Sequence, residues 1–461
     1  MGAKIREPAR WTPVIREADV VVLGGGPAGI AAAVAAARLG ARTLLVERYG
    51  FLGGMGTAAL VTSFCGLYAN VYGEIRQVVR GIADEMLARI AALDGLNTPQ
   101  LFADRIAVQS YDVAAYKCAA DDLVLSAGVE LLFHTLAVGA VVENGRIDAL
   151  LVESKSGRGA VRGRVFIDCS GDADLAAWAG APYAKGDATG FLQLPTLMFR
   201  LGNVDNARAL AEGLPRLQAR MAEAQARGEY SFPRLFPILR PQTHPGEWRA
   251  NLTQVSRHGA PIDGTNVDDL TYAEIEGRRQ VQLYHRFLRA EVPGFERCYI
   301  LEIAPQIGIR ETRRIVGAYV LTREDVLGAR DFPDAIGVAG WPVEIHLPGT
   351  IRFEFIPGRG YYGLPYRCLL PQGVDNLLVA GRCLSATPEA QASARVSGPC
   401  FAMGQAAGTA AALAARAGCR PADIEVATLR ALLRQQGAYL GEDPAAAPPL
   451  ASWHTACTAP R

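Results

Sequence analysis

The residues with the clearest chemical purpose are the glycines of Gly24–Gly29 (GGGPAG), a G-x-G-x-x-G spacing of Gly24, Gly26 and Gly29. Such a spacing between a strand and a helix suits a dinucleotide. The first glycine permits a tight turn, the second lets the backbone approach a pyrophosphate, and the third allows close helix packing. Pro27 and Ala28 begin the helix, whose free amides face the anion. Glu47, about twenty residues on, can accept both ribose hydroxyls of an adenosine and would repel a 2′-phosphate, so NADP is excluded there while NAD and FAD both remain. A second group of candidates lies far downstream. Arg310 in IGIRETRRI and Arg395 in ASARVSG offer cations for an anionic substrate, His346 in VEIHLPG titrates near neutrality, and Tyr362 and Tyr366 in YYGLPYR offer phenolic donors.

The elements that must position these groups follow from apolar patterning. Asp19–Leu23 (DVVVL) and Thr43–Val46 (TLLV) are short apolar runs typical of strands buried on both faces, and with the Ala-rich helix between them they make a βαβ unit. Helical patterning returns over Glu74–Leu93 and Val113–Ala127, followed by a strand at Val129–Phe133. Alternation over Ala137–Val142 and Ile147–Val152 flanks Asn144-Gly145, a tight-turn dipeptide, and predicts a β-meander. Val161–Asp168 is the next strand and opens on CSGDADLAAWAG. From about Ala184 the segments become longer and mixed until Asn376–Ala380 (NLLVA) and an Ala-rich helix over Pro399–Ala417 restore the first character. The expected fold class is α/β: a Rossmann-type nucleotide-binding domain, a parallel sheet plus meander, with an inserted α+β substrate domain. The expected boundaries are an arm at 1–18, the nucleotide domain at 19–183 and 365–441, the insert at 184–364, and a Pro/Ala-rich tail at 442–461.

Composition narrows the function classes. With 47 Lys and Arg against 46 Asp and Glu in 461 residues, the formal net charge is +1, so no global field attracts polyanions and no nucleic acid partner is expected. No apolar run reaches the length of a membrane span, and charges occupy the start where a signal peptide needs apolar residues. A cytoplasmic protein without membrane insertion is expected. The 9 cysteines are scattered without a CxxC pair, and the 6 histidines show no HxH or HExxH spacing, so reduced thiols and no metal site are expected.

The order GGGPAG, VERYGFLGGMGT, FIDCSGDADLAA, NLLVAGR and RVSGPCFAMGQAAGTAAAL resembles the FAD-dependent oxidoreductases of the glutathione-reductase-type Rossmann superfamily. More closely it is similar to a bacterial branch related to fumarate reductase flavoproteins and to the glucose-inhibited division protein A group, with IGIRETRRIVGAYVLTREDV and YGLPYRCLLP in the insert sharing the likeness. The resemblance implies FAD as the cofactor. Arg48, Gly54, Met55 and Thr57 would then lie along a loop passing beneath the pyrophosphate toward the flavin, Val138 in the meander and Ser170, Gly171 and Asp172 near the adenosine and ribityl parts, and Gly381-Arg382 against ribityl and phosphate. Asp172 could equally cap the next helix. The helix from Pro399 should aim its amides at the flavin, with Gly404 pressed on the ring. Cys65 could sit at the flavin edge, where covalent attachment is conceivable and a buried apolar thiol is the simpler reading.

Only one dinucleotide fingerprint occurs, which argues against a built-in NAD(P)H domain. The expected reaction is oxidation of a small polar metabolite by hydride transfer to FAD, with oxygen, a quinone or another carrier as external electron acceptor. Reduction of an activated alkene, as the fumarate reductase likeness allows, a role in RNA modification or another assembled complex, and a biosynthetic role with bound FAD as a scaffold or non-redox element are the alternatives. Arg310 is expected to face the cavity, with Arg314 beside it and Glu311 and Arg313 on the opposite face, and His346 is the preferred acid or base. The substrate and the oligomeric state are not legible.

Overall fold

A computed structural model describes residues 5–102, 105–441, 443 and 447. The fingerprint run is part of a longer strand, Val14–Leu23, so the expected arm contributes its last residues to the sheet. This strand lies between Thr43–Val46 and the long strand Gly157–Asp168, parallel to both, and Glu130–Leu132 adds a parallel strand beyond Thr43–Val46. The long strand Gly157–Asp168 serves two partners on its other edge. Its first half pairs antiparallel with Arg146–Ser154 and so with the meander strand Leu136–Glu143, while Phe166–Asp168 pairs parallel with Leu377–Val379. Residues from the two ends of the chain therefore complete one sheet of seven strands. The meander turns at Asn144 and Gly145, both with positive φ as that dipeptide favours.

Two helices cover one face of this sheet. Pro27–Arg38 and Ser397–Ala417 are Ala- and Gly-rich and almost wholly buried, which lets their backbones touch. A Cβ on Gly404 would stand 2.7 Å from the carbonyl carbon of Ala28, and one on Gly408 would stand 2.7 Å from that of Ala32. The helix Val113–Ser126, capped by Asp112 accepting from the Ala115 amide at 2.9 Å, belongs to the same core. The long helix read over Glu74–Leu93 is two elements. Tyr68–Val71 and Glu74–Gln77 form a hairpin around Gly73 (φ +97°), and helix begins only at Ile82.

The insert is a four-stranded antiparallel sheet ordered Ile238–Pro241, Trp248–Asn251, Phe199–Gly202, Tyr299–Ile303. The 25-residue helix Val267–Glu291 packs its Tyr284, Phe287 and Leu288 into this domain's own core. That core ends near Ile309, short of the expected boundary at 364, because Leu321, Ile336, Val343 and Leu364 pack into the nucleotide-domain core instead. The antiparallel pair Ala335–Ala339 with Tyr362–Pro365 and, between them in the chain, the hairpin Val343–Leu347 with Thr350–Glu354 lie in this returning segment. Among the described residues no helix is long and apolar enough to cross a membrane. Most of the expected tail, with Cys457, lies outside the described residues. Ala447 is described and is fully buried beside Val71 and Tyr361.

Candidate functional site

A cavity of about 290 Å³ opens at the carboxyl ends of the parallel strands, reached by Leu23, Val46 and Ala380, and continues to the insert sheet. This is where open α/β sheets bind ligands. Its first end is the glycine fingerprint. Gly24 has φ +97° and a Cβ there would lie 2.5 Å from the Cys169 carbonyl oxygen, while a Cβ on Gly29 would lie 2.9 Å from the Gly24 carbonyl carbon. Gly24, Gly26, Pro27 and Ala28 line the cavity, and Gly29 serves packing instead. The helix starting at Pro27 has no side-chain cap and no acidic residue in its first turn, so its free amides and positive end face the cavity.

Glu47 ends its strand almost buried, 6% exposed, with Oε2 accepting from the Gly25 amide at 2.6 Å and Oε1 from the Tyr49 amide at 2.9 Å. Burial pushes its carboxyl above the ordinary range against the pull of these amides and of Arg48. Arg48, Gly54, Met55, Ser170, Gly171 and Gly381 also line the cavity. Gly54 crosses directly over the fingerprint, since a Cβ there would be 2.8 Å from the Gly26 Cα. A pyrophosphate between uncapped amides and an acidic ribose acceptor fits these residues.

Several expected contacts are corrected. Thr57 is fully buried and donates to the Leu52 carbonyl at 2.8 Å, so it braces the loop without lining the cavity. Val138 does not line it; Thr135, Leu136 and Ala137 do. Asp172 accepts from Arg382 at 2.7 Å and from Thr312 Oγ1 at 2.8 Å, outside the main cavity, and caps no helix. The turn is organised by Asp168, fully buried, which accepts from the Ser170 amide and hydroxyl and from the Ala176 amide. Arg382 reaches the cavity, but its guanidinium is committed to Gly171 O, Ile309 O and Asp172 and ties loops together. Gly404 touches the backbone at Ala28 and is not pressed on a ligand.

The helix Ser397–Ala417 brings a second uncapped, acid-free N-terminus, with Val396, Ser397 and Cys400 at the cavity wall. Ser397 Oγ accepts from the Cys65 amide at 2.9 Å and donates to the Cys65 carbonyl at 3.2 Å, pinning that loop. Cys65 does face the cavity. Burial and then Glu344 push its thiol up to about 12, so it is a neutral thiol and a poor nucleophile for covalent attachment.

At the far end the structure gathers His346, Arg310 and Arg395, and adds Glu344, Trp341, Arg240 and Arg249, which the sequence reading missed. Glu344 and His346 alternate along Val343–Leu347 and so share a face, a period-2 signal that was present in VEIHL. His346, 2% exposed, contacts Glu344 Oε1 through Nε2 at 3.0 Å, and Trp341 Nε1 donates to Oε2 at 2.8 Å. Nδ1 of His346 is buried without a partner among the described residues. Burial and then Arg310 hold the imidazole well below its ordinary range, so it is neutral, with its proton assigned to Nε2 by the Glu344 contact. Glu344 is ionised. Its burial is outweighed by His346, Arg395 and the Trp341 donor.

Arg310 faces the cavity but not as the alternation suggested. It donates to Leu194 O at 2.7 Å and Thr196 Oγ1 at 2.8 Å, neutral acceptors that leave its charge uncompensated. Glu311 and Arg314 do not lie on opposite faces; they form a buried ion pair, and Arg313 pairs with Asp174 at 2.8 Å. The cause is that strand geometry begins only at Arg313. Tyr362 is not in the cavity. It is fully buried and donates to Ser393 Oγ at 2.9 Å, while Tyr366 donates to the Pro421 carbonyl at 2.8 Å; both are core residues.

Thiamine thiazole synthases of Aeropyrum pernix and Methanococcus vannielii are 29% identical over 150 residues and 30% over 152, in each case 32% of this chain and 49% of theirs. The chain thus spans about half the length of these curated relatives. A dihydrolipoyl dehydrogenase of Trypanosoma brucei brucei is 53% identical over 45 residues, 10% of this chain and 9% of that one. Among solved structures, a geranylgeranyl bacteriochlorophyll reductase-like protein from Thermoplasma acidophilum is 13% identical, covering 92% of this chain and 84% of that one, at a TM-score of 0.44. The OxyS anhydrotetracycline hydroxylase from Streptomyces rimosus is 16% identical, covering 91% and 66%, at a TM-score of 0.45. A family model described as FAD dependent oxidoreductase matches residues 19–433, from the strand before the glycine fingerprint to the last helix. With that span matched and the dinucleotide cradle in place, the chain belongs to the FAD dependent oxidoreductase family and its cofactor is FAD.

Proposed function

We propose that this oxidoreductase oxidises a small polar metabolite by hydride transfer to FAD and hands the electrons to an external acceptor, oxygen, a quinone or another carrier. The observation that carries the reading is the buried His346–Glu344 pair, which lines the same cavity as the FAD cradle and leaves the histidine Nδ1 without a partner among the described residues. Bound FAD supplies a two-electron acceptor. Loss of hydride from a substrate C–H requires removal of a proton from the neighbouring O–H or N–H. His346 Nδ1 is the unprotonated nitrogen available to take it. Glu344 accepts from Nε2 and is placed to stabilise the imidazolium that results, with Trp341 holding the carboxylate. The uncapped start of the helix Ser397–Ala417 favours negative charge building up beside it.

The same side chains run backwards would deliver a proton to an activated alkene, with the FAD reduced from outside. Anaerobic spectra decide the direction. A metabolite panel is added to the yellow enzyme and bleaching followed; rapid bleaching by NADH alone, with no panel member effective, would refute substrate-driven reduction. Once a substrate is found, His346→Gln should lower its bleaching rate by about a hundredfold, the scale of general acid–base catalysis, at unchanged FAD content. An undiminished rate removes His346 from the mechanism.

A further inference from the structure

One transverse row across the insert sheet places Arg240, Arg249, Arg200 and Glu302 directly opposite one another in register. Opposed residues on antiparallel strands share a face with Cβ atoms about 5 Å apart, and like charges so placed repel. Arg200 is compensated by Glu302 at 3.1 Å and by Glu247. Arg240 and Arg249 have no carboxylate partner among the described residues, and both line the cavity. Arg249 is 6% exposed and bonds only the Val61 carbonyl, at 2.5 Å, leaving Nε unpartnered. The Arg240 guanidinium lies 5.1 Å above the Phe102 ring. Arg310, Arg395 and the Glu344 carboxylate line the same cavity. Burial draws the Arg240 side chain down only to about 10, so it stays cationic at neutral pH. Holding opposed cations away from water without carboxylate partners is unfavourable, and a bound anion would offset that cost. The FAD pyrophosphate does not meet this need, because it belongs at the fingerprint amides.

We propose that Arg240 and Arg249 form an anion subsite that holds a carboxylate or phosphate group of the substrate while its reacting atoms face His346. The subsite rests on the oxidoreductase reading of the cavity. Guanidinium forks suit either anion in a two-point geometry.

The test is titration of the FAD-loaded enzyme with sodium acetate, inorganic phosphate and sodium chloride, read as perturbation of the visible flavin spectrum and by calorimetry. Acetate or phosphate should bind at least tenfold tighter than chloride, and whichever is tighter identifies the anion class. Arg240→Gln and Arg249→Gln should each weaken that binding about tenfold or more while FAD content stays at the parental level. Equal binding by parent and both variants, or no preference over chloride, overturns the subsite. So does loss of FAD from both Gln variants when Arg240→Lys keeps FAD but binds acetate and phosphate no more tightly than chloride, since the pair would then be structural. Probe binding needs no turnover. An Arg240-dependent anion in an enzyme whose flavin no metabolite bleaches would leave the subsite standing and refute the oxidation; bleaching unaffected by Arg240→Gln would refute the subsite alone.

Discussion

Replacing Gly404 by Ala should loosen FAD without touching it. Helix propensity alone favours Ala over Gly by about 1 kcal/mol in a helix interior, so the naive expectation is a more stable protein. The packing says otherwise. The added Cβ would stand 2.7 Å from the Ala28 carbonyl carbon and 2.8 Å from its Cα, against ordinary carbon contacts of about 3.5 Å or more. Relief requires the two helices to part by about 1 Å or more, because the Ala28 carbonyl oxygen would stand closer to the added Cβ than either carbon, and the obstructing atoms are backbone that cannot swing aside. Gly408 meets Ala32 in the same way one turn later, so a tilt about Gly404 gains nothing. Overpacking of this kind costs about 3 kcal/mol at the upper end of its range, which leaves a net loss of about 2 kcal/mol. The displaced helix carries the free amides of Pro27–Arg38 that face the cofactor, so FAD affinity should fall by about tenfold, the equivalent of 1.4 kcal/mol. The assay is thermal unfolding of apo- and holoprotein together with FAD retained through gel filtration. Gly408→Ala added to Gly404→Ala should cost less than the sum of the two, because one separation accommodates both methyl groups. Ala28→Gly should fail to rescue, since the contact is with main-chain atoms. A Gly404→Ala protein that melts at or above the parent with full FAD would refute the packing account.

Glu47→Gln should retain the turn at Gly25 but weaken FAD binding by about tenfold or more, the value of a charge-assisted hydrogen bond; equilibrium dialysis of FAD measures it, and unchanged affinity would move the ribose elsewhere. Tyr362→Phe removes only the bond to Ser393 and should cost about 1 kcal/mol of stability with turnover unchanged; a tenfold loss of rate would return Tyr362 to the site. Glu311→Gln leaves the buried Arg314 without its counter-ion and should cost about 3 kcal/mol or more in denaturant melts; a neutral result would mean that water reaches the pair. For pH dependence, burial and Arg310 depress the folded-state pKa of His346 below 6.5, so the base form persists as pH falls and the acid limb of kcat/KM should lie below pH 6.5. Arg310→Gln removes a neighbouring cation and should move that limb upward; a downward or absent shift in the pH profile would contradict the assignment.

The part of the site that was legible in the sequence is the part whose geometry is local. Gly24, Gly26 and Gly29 do their work within one turn, and Glu47 is placed by the strand immediately after their helix, so spacing along the chain is nearly spacing in space. The late contributions were legible as elements, the strand Leu377–Val379 and the helix from Ser397, yet not as contacts. Gly404 looks the same in sequence whether it touches a ring or a neighbouring backbone, and only the packing against Ala28 distinguishes them. In IGIRETRRI alternation fails as a guide because the residues before Arg313 are not yet in a strand and Glu311 folds back onto Arg314. Arg240 and Arg249 are a different case. Each is an ordinary arginine in its own segment, and their chemical meaning arises from a hairpin register that sets them opposite one another and from the compensation of Arg200 by carboxylates distant in sequence. Uncompensated charge is a property of a surrounding, so it becomes visible only when the neighbours of every cation have been identified. That explains why the dinucleotide half of this site is legible from residue spacing, while the proposed anion subsite is defined by the buried charges that the protein leaves for a ligand to complete.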